Sequence, residues 1–201
     1  NGLPVISIAS DLAGSTGVAG FRKEFPADSL DVGIAESNMI SVAAGFSKKG
    51  FIPVVDTFAQ FGLTKGALPL TMASLSEAPM IAIFSHTGFQ DAADGASHQA
   101  LSYLAMVSSI PHVDTYCLSC SEEADAVLGQ IISDFAAERK TDRTPRTSIL
   151  FLGRENFPKN YGVNVFEKNK IQILKQKLTA RNIALITTGS SVPETLKAFD
   201  I

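Results

Sequence analysis

The sequence predicts an α/β protein whose mostly parallel sheet is covered by helices on both faces, in three α/β/α layers. The first observation is that its strand-like apolar runs are continuous rather than alternating, as is typical of parallel strands buried on both faces. The second is that helical patterns separate these runs along the chain, as crossover connections require. The third is a hydrophobic content of 45% with 18% charged residues, which supports a large core.

Short apolar runs bounded by glycine, proline or polar residues predict the strands. The run at 32–35 is interpreted as the end of a buried strand, and Gly50 and Pro79 precede two others. The predicted strands are 5–8, the segment ending at 32–35, 51–55, 80–84, 112–117, 148–152 and 183–187.

Apolar residues at helical spacing predict the helices between these strands. In 36–49, Met39, Val42, Ala43 and Phe46 recur at i, i+3, i+4 and i+7 and form one apolar stripe. The other predicted helices are 58–76 with a break at Pro69, 99–109, 122–138 and a last helix that follows residues 189–191 and ends at Ile201.

The pattern divides the chain into three parts. Residues 1–155 are predicted to form one domain, and the lysine-rich, weakly patterned stretch 156–181 a linker. Residues 182–201 hold one strand and one helix, which cannot close a core by themselves. We therefore expect them to begin a second α/β domain that is truncated here, and the chain to be a segment of something longer or one half of a pair.

Charge and composition exclude several classes of protein. A net charge of −3 offers no basic surface for nucleic acid and no polybasic patch for a membrane. No apolar run is long enough to span a bilayer. Two cysteines make no disulfide framework, so we expect a cytoplasmic protein.

The clearest candidate for chemistry is Glu36, which follows the apolar run 32–35 and begins a helix. At such a junction a carboxylate lies beside the backbone, away from bulk water, where it can exchange a proton with a ligand. The alternative is that an acid in the first turn of a helix stabilises the helix dipole. Thr57, Phe58, His86 and Arg154 also follow predicted strands, so all these residues are expected to share the carboxyl-end rim of the sheet.

A long polar loop gives a second candidate. His86 and His98 flank residues 88–97, which are rich in small residues and acids and include Asp94. Loops held by a rigid scaffold often carry function. Each histidine alone favours a structural role, and Phe58 and Phe61 alone favour core packing. The two histidines at the ends of one such loop, with Asp94 between them, support a functional site as well as they support a structural role.

The pair Cys117 and Cys120 has C-x-x-C spacing at a strand-to-helix turn. A redox role or a zinc site is conceivable, but zinc needs two more ligands and the sequence has no second pair. Ser119 with Glu122 is also an ordinary helix-capping pattern, which is the favoured interpretation. No P-loop, dinucleotide-binding or serine-hydrolase motif is present.

Five motifs in order resemble the pyrimidine-binding domain of transketolase-type enzymes, which depend on thiamine diphosphate. Residues 33–39 (GIAESNM) are similar to the family's GIREHAM, and 57–61 (TFAQF) to TFxxF. Residues 94–99 (DGASHQ) resemble DGPTHQ, 154–158 (RENFP) resemble RQNLP, and 10–15 (SDLAGS) resemble ADLTPS. The resemblance covers about 5–155, and residues from 182 resemble the start of the family's third domain.

The resemblance implies a role for each matched residue. Glu36 would activate thiamine diphosphate through N1′ of its aminopyrimidine, and Phe61 would stack on that ring, with Phe58 and Asp11 also at the cofactor. His86 and His98 would handle hydroxyl protons. The residues implied to bind the sugar phosphate are Ser15, His86, Asp94, His98 and Arg154.

The implied reaction is the transfer of a two-carbon ketol unit from a ketose phosphate to an aldose phosphate, as in the pentose phosphate pathway. The chain departs from the family at 37–38, at Thr64 and at 92–93. It also lacks the family's GDG…NN motif, which holds Mg or Ca and the diphosphate. That half is expected from a separate domain or subunit, in a homodimer of the full enzyme, so this chain alone should be inactive.

Three alternatives stay open. Deoxyxylulose-phosphate synthase and the E1 β subunits of 2-oxo acid dehydrogenases share parts of these motifs, whereas TFxxF and RxNxP favour transketolase. A non-catalytic α/β interaction module that kept the scaffold is the alternative outside enzymes.

Overall fold

The computed structural model describes residues 2–141, 143–177 and 183–200. A six-stranded sheet forms its centre, and every pair of neighbouring strands is parallel. The strands lie in the order β2-β1-β3-β4-β6-β5. They are β1 Val5–Ala9, β2 Ser29–Asp31, β3 Ile52–Phe58, β4 Ile81–Ser85, β5 Val113–Cys117 and β6 Thr147–Phe151.

Helices connect the strands and cover both faces of the sheet, which confirms the three-layer prediction. They are α1 Ala13–Thr16, α2 Ala19–Glu24, α3 Glu36–Lys48, α4 Ala59–Thr64, α5 Ala67–Leu75, α6 Tyr103–Val107, α7 Ser121–Lys140 and α8 Val192–Phe199. Short 3-10 turns lie at Pro26–Asp28 and Gly189–Ser191. Among the residues described, no helix combines the length and apolar character needed to cross a bilayer.

Two apolar cores lie on opposite faces of the sheet. On one face, α3 to α6 pack on residues such as Val55 and Phe84, with Met39 of α3 fully buried. On the other face, α7 packs Ile131 and Phe135 against the sheet. Burying these apolar groups is worth about 25 cal/mol per Å² and fixes the strands whose ends carry the site.

Of the predicted strands, one is misplaced and one does not form. The segment 32–35 lies after a strand, because β2 ends at Asp31 and is a half-exposed edge strand. The Asp31 carboxylate accepts bonds from the backbone N–H of Gly33 and Asp11, which turns the chain out of the sheet. Residues 183–187 form no strand, since no neighbouring strand in the described chain pairs with them, and Ile183 is 86% exposed.

Two predicted helices are shorter than expected. Phe58 is the last residue of β3, and the helical stretch after it breaks at Lys65 and Gly66, before Pro69. A Cβ at Gly66 would lie 2.2 Å from the carbonyl oxygen of Gly62, so the chain turns where only glycine fits. The predicted helix 99–109 is reduced to α6 because 86–102 is held as a loop.

The stretch predicted as a linker lies against α7. The Gln130 side chain bonds the backbone of Phe166 and Lys168, and Lys168 pairs with Asp134. The boundaries at 155 and 181 stay predictions. Asn1, Asp142, residues 178–182 and Ile201, on which parts of the predicted linker and last helix fall, lie outside the described residues.

Candidate functional site

The candidate site lies on the carboxyl-end rim of the sheet. Phe58 ends β3 directly beside Ser85, which ends β4, and Phe84 is paired with Phe151 near the end of β6. His86 and Arg154 follow these strands, and Glu36 begins α3 after β2. Parallel strands therefore bring to one edge residues that are far apart in the sequence.

Glu36 is a buried carboxylate with an unused oxygen. It is the first residue of α3, and its side chain is only 3% exposed. Its Oε2 makes no hydrogen bond with the residues that the structure describes, and the ammonium of Lys65 lies 3.6 Å away. A buried carboxylate oxygen is costly to leave without a donor, so this atom is suited to a ligand that brings one.

Aromatic and imidazole rings form a contiguous group next to Glu36. The His86 ring stacks on Phe58 with 3.7 Å between centroids, and the His98 ring meets Phe61 edge-on at 4.9 Å. The Phe58 and Phe61 rings are stacked at 5.9 Å. Lys65 links this group to Glu36, because its ammonium lies 5.8 Å from the Phe61 ring. Phe61 is half-buried, so part of its ring is available to a flat ligand.

His86 is held in a strained backbone with its ring oriented by a neighbour. Its φ is +61°, which is uncommon for a residue other than glycine, and its Nδ1 lies 2.8 Å from the Ser85 hydroxyl. Burial lowers the pKa of His86, opposed by the nearby carboxylate of Asp91 and aided by the guanidinium of Arg154. At neutral pH the ring is therefore uncharged and able to accept a proton.

The loop after His86 joins Arg154 to the site through Asp91. Asp91 is 0% exposed, and its Oδ1 lies 3.2 Å from Nε of Arg154. The backbone N–H of Arg154 donates to Oε1 of Gln90, so both the main chain and the side chain of the arginine are held. Asp94 is exposed and His98 is half-buried on the same loop.

Asp11 and Ser15 lie at the same edge but apart from these rings. Both are exposed, and Asp11 uses its backbone N–H to bond Asp31. Neither side chain makes a hydrogen bond or ion pair to the rim residues in the described chain. The structure therefore brings Glu36, the two phenylalanines, the two histidines and Arg154 together, and leaves Asp11 and Ser15 beside them.

A second buried carboxyl anchors the segment that carries Ser15. Asp56 of β3 is 0% exposed and accepts a hydrogen bond from the hydroxyl of Thr16. Burial raises the pKa of Asp56 to about 6, against the hydrogen bond from Thr16. Its other oxygen has no partner among the described residues.

Three residues of the site are missed by sequence reasoning. A lysine before a glycine, such as Lys65, carries no sequence signal of contact with an acid 29 positions earlier. Ser37 donates to the carbonyl of Lys65 and holds the break between α4 and α5 against the start of α3. Asp91 lies in the loop that follows β4, and its sequence neighbourhood of small and acidic residues carries no signal of its burial.

The cysteine pair shows no sign of activation. Cys120 is buried and Cys117 half-buried. Burial raises the pKa of both thiols, which keeps them protonated near neutral pH. Among the described residues, no group of three histidine, cysteine or acidic side chains is placed to hold a metal ion.

The arrangement can hold a flat, polar heterocycle and a phosphate. Glu36 offers a buried oxygen for a ring nitrogen, Phe61 offers a face for stacking, and His86 can accept a proton. Arg154 offers a guanidinium, whose geometry matches phosphate oxygens.

Comparison with known proteins agrees with this chemistry. Residues 1–158 match the model of the family described as "Transketolase, pyrimidine binding domain". The chain is 30% identical over 203 residues to a polypeptide of Methanocaldococcus jannaschii assigned as a transketolase C-terminal section, covering 98% of this chain and 60% of that one. It is 28% identical over 200 residues to the 1-deoxy-D-xylulose-5-phosphate synthase of Natranaerobius thermophilus, covering 98% of this chain and 30% of that one.

A solved structure is also similar over nearly the whole chain. It is titled as a split gene transketolase, an inactive beta4 tetramer, and has a TM-score of 0.75 and 25% identity. The match covers 97% of this chain and 60% of that one. The chain thus spans between about a third and about three fifths of the relatives described here.

Proposed function

This chain belongs to the transketolase family, through that family's pyrimidine-binding domain, and from this premise we propose that it binds the aminopyrimidine of thiamine diphosphate and serves ketol transfer between sugar phosphates. A two-carbon unit would pass from a ketose phosphate to an aldose phosphate. Because the chain spans only part of its relatives, the complete activity is proposed for the chain joined to a diphosphate-binding half.

One observation carries the proposal. The Oε2 atom of Glu36 is buried at the start of α3 and has no hydrogen-bond donor among the described residues. A protonated ring nitrogen of the aminopyrimidine would donate a hydrogen bond to it, and the half-buried Phe61 would stack on the same ring. The residues present therefore fit the cofactor.

The cofactor side of the site would be held by Glu36, Phe58, Phe61 and Asp11. Thiamine diphosphate supplies the nucleophilic carbon and the electron sink that ketol transfer needs. Glu36 would hold and release a proton at Oε2, and the ammonium of Lys65, 3.6 Å away, would favour the carboxylate once that proton has left. The rings of Phe58 and Phe61 would exclude water from this exchange.

The substrate side would be held by the loop after β4 and by the residues after β6 and β1. The neutral ring of His86 would take a hydroxyl proton, and His98 would orient a neighbouring hydroxyl. Asp94 would accept a hydrogen bond from a sugar hydroxyl. Arg154 and Ser15 would bind the phosphate.

The proposal also includes the part of the enzyme that binds the diphosphate. Mg or Ca and the diphosphate would be held by a separate domain or subunit, and the complete enzyme would be a homodimer in the cytoplasm. A split architecture is supported by the relative titled as a split gene transketolase.

A second candidate is the synthesis of a deoxyxylulose phosphate from pyruvate and an aldehyde phosphate. It is supported by the 28% identity to the synthase of Natranaerobius thermophilus. The motifs at 57–61 and 154–158 favour ketol transfer instead. An E1 β-like reaction on 2-oxo acids is the more distant alternative.

The test joins this chain to a diphosphate-binding half, with thiamine diphosphate and Mg²⁺, and offers two substrate pairs. A pentulose phosphate with ribose phosphate should be converted, and pyruvate with glyceraldehyde phosphate should not. The reverse result would favour the synthase.

Titration of thiamine diphosphate into the same assembly separates an enzyme from a non-catalytic module. Saturable binding that requires this chain is expected. An assembly that shows no saturable binding, and converts neither substrate pair, would leave only the interaction module.

A further inference from the structure

We propose that Asp91 is a positioning residue that orients the guanidinium of Arg154 for a substrate phosphate and anchors the loop that carries Asp94 and His98. This inference rests on the proposed function, since it concerns the phosphate of the same substrates. It adds a residue that none of the five sequence motifs includes.

Asp91 is a fully enclosed acid in the loop after β4. It is 0% exposed, although its neighbours Ala92, Ala93 and Asp94 are all exposed. A carboxylate seldom lies so deep without a partner, because burying an unpaired charge is costly. Its partner is Arg154, which lies 63 positions away in the sequence.

The ion pair uses one particular nitrogen of the arginine. Nε of Arg154 lies 3.2 Å from Oδ1 of Asp91, and the arginine side chain is still 38% exposed. Its two terminal nitrogens make no hydrogen bond to any residue that the structure describes. A guanidinium held at Nε keeps both terminal groups available, and two parallel donors match two phosphate oxygens.

The main chain of Asp91 holds the loop. Its carbonyl accepts bonds from the backbone N–H of Gly95 and from the side-chain amide of Gln99, 3.1 Å away. Gln99 also reaches the carbonyl of Phe89. These bonds fix both ends of the stretch that carries Asp94 and His98, so one buried residue aligns the phosphate site and the hydroxyl site together.

The two oxygens of the Asp91 carboxylate differ in their contacts. Oδ2 has no hydrogen-bond partner among the described residues. The other oxygen, Oδ1, lies 3.2 Å from Nε of Arg154 and also accepts a hydrogen bond of 3.5 Å from the backbone N–H of Asp94, so the carboxylate joins the partly exposed guanidinium to the loop.

A substitution that removes the charge of Asp91 changes the affinity for sugar phosphates in opposite directions under the two explanations, orientation of Arg154 and simple electrostatics. The negative charge of Asp91 repels a phosphate dianion, so electrostatics alone predicts that Asp91→Asn binds sugar phosphates more tightly. If Asp91 instead orients Arg154, the variant loses the held guanidinium and binds them more weakly, by about tenfold.

The experiment measures calorimetric binding of ribose 5-phosphate, with ribose as the unphosphorylated control, to the chain assembled with its diphosphate-binding half. Asp91→Asn should weaken binding of ribose 5-phosphate about tenfold and leave ribose unchanged. Asp125→Asn, the same change at an exposed site on α7, should alter neither. Unchanged or tighter binding of ribose 5-phosphate by Asp91→Asn would overturn the inference.

Variants at Arg154 keep the test decisive if Asp91→Asn does not fold. Arg154→Lys keeps the charge but lacks the planar pair of terminal donors, and its single ammonium would be drawn to Asp91 and away from the phosphate, so it should bind ribose 5-phosphate as weakly as Arg154→Gln. Wild-type affinity in Arg154→Lys would contradict the inference. In the Arg154→Gln background, Asp91→Asn should cause no further weakening.

The two proposals fail in different ways. The proposed function would be contradicted by an assembly that converts neither substrate pair. The role of Asp91 would be contradicted by an Asp91→Asn protein that binds ribose 5-phosphate with wild-type affinity, whatever its turnover.

Discussion

Two buried carboxyls near the same edge of the sheet differ in what surrounds them. Glu36 is 3% exposed and Asp56 is 0% exposed, and each has one oxygen without a partner in the described chain. Glu36 faces a lysine and a group of rings, part of which is open to a ligand. Asp56 lies under α1 and is covered by the hydroxyl of Thr16.

The difference teaches that burial of an acid does not by itself mark a site. The raised pKa of Asp56 follows from burial in a place where a hydroxyl already occupies one oxygen. Glu36 stands out because the groups around it are of the kinds that hold a heterocycle. We therefore expect changes at Glu36 to act on ligand chemistry, and changes at Asp56 to act on stability.

The largest effect is expected from Glu36→Gln. In the complete assembly this variant should lose at least about 100-fold of its turnover, because glutamine cannot exchange a proton. Glu24→Gln, the same change at an exposed position of α2, should keep its activity. A Glu36→Gln enzyme that keeps most of its turnover and its thermal midpoint would contradict the claim that Glu36, unlike Asp56, acts on ligand chemistry.

The next effect concerns Asp56 and the pH dependence of unfolding. Because its pKa is raised to about 6 in the folded state, the stability that it contributes is complete below its unfolded value near 4 and is lost as the pH rises through 6. Between pH 4.5 and pH 8 the free energy of unfolding of the wild type should thus fall by about 2 kcal/mol because of this group, and this fall should be missing in Asp56→Asn. Denaturant titrations at pH 4.5 and pH 8 measure this change. An equal change in the free energy of unfolding in the wild type and in Asp56→Asn would contradict the assignment.

A smaller effect is expected from Phe61→Ala. Loss of the stacking face should weaken binding of thiamine diphosphate to the assembly by about tenfold. Phe25→Ala provides a matched control, because Phe25 is 43% exposed and contacts only Phe21 among the aromatic rings described. Equal effects of the two substitutions on cofactor affinity would argue against a stacking role for Phe61.

Lys65→Met should have a modest effect, because Lys65 is 54% exposed and its pairing with Glu36 is screened by solvent. Turnover of the assembly should fall by about two- to fivefold, and the difference should shrink as salt is added. Lys23→Met on α2 is the control. A loss that does not depend on salt would indicate that Lys65 acts through packing on Phe61 and not through charge.

The smallest effect is a change in the titration of His86. Its pKa is lowered below the usual 6.5 by burial, and the charge of Arg154 lowers it further. Arg154→Gln should therefore raise the pKa of His86 in an NMR titration, whereas Asp91→Asn should lower it. Since the folded pKa is depressed, the contribution of His86 to stability is lost as the pH falls below 6.5. Shifts in the same direction in both variants would contradict the arrangement at the rim.

Most of the fold was predictable because the apolar periodicity of this chain is strong. The stripe of Met39, Val42, Ala43 and Phe46 predicted the buried face of α3, and these residues pack in the core. The strand predicted at 183–187 is wrong, because an apolar run becomes a strand only where a neighbouring strand satisfies its backbone. Ile186 is 93% exposed, whereas Ile149 in β6 is 0% exposed.

The candidate site was predictable as a set of positions and not as a set of contacts. Placing residues after parallel strands predicts that they share a rim, and Glu36, Phe58, His86 and Arg154 do so. The stack of His86 on Phe58 depends on the alignment of β3 with β4, and the pair of Asp91 with Arg154 on the position of β6 beside β4. Such alignments across strands leave no trace in local patterns.

The sequence by itself determined the fold class, the family and the approximate positions of five of the six strands, because periodicity and motifs are local properties of the chain. Only the tertiary structure decided which acids are enclosed and what they face. Glu36, Asp56 and Asp91 all carry a carboxyl group, but the strand order β2-β1-β3-β4-β6-β5 gives them different neighbours. Glu36 lies near the rings and Lys65, Asp56 contacts the hydroxyl of Thr16, and Asp91 pairs with Arg154. The cost of burying a charge depends on those neighbours, which the chain meets only when the sheet is assembled.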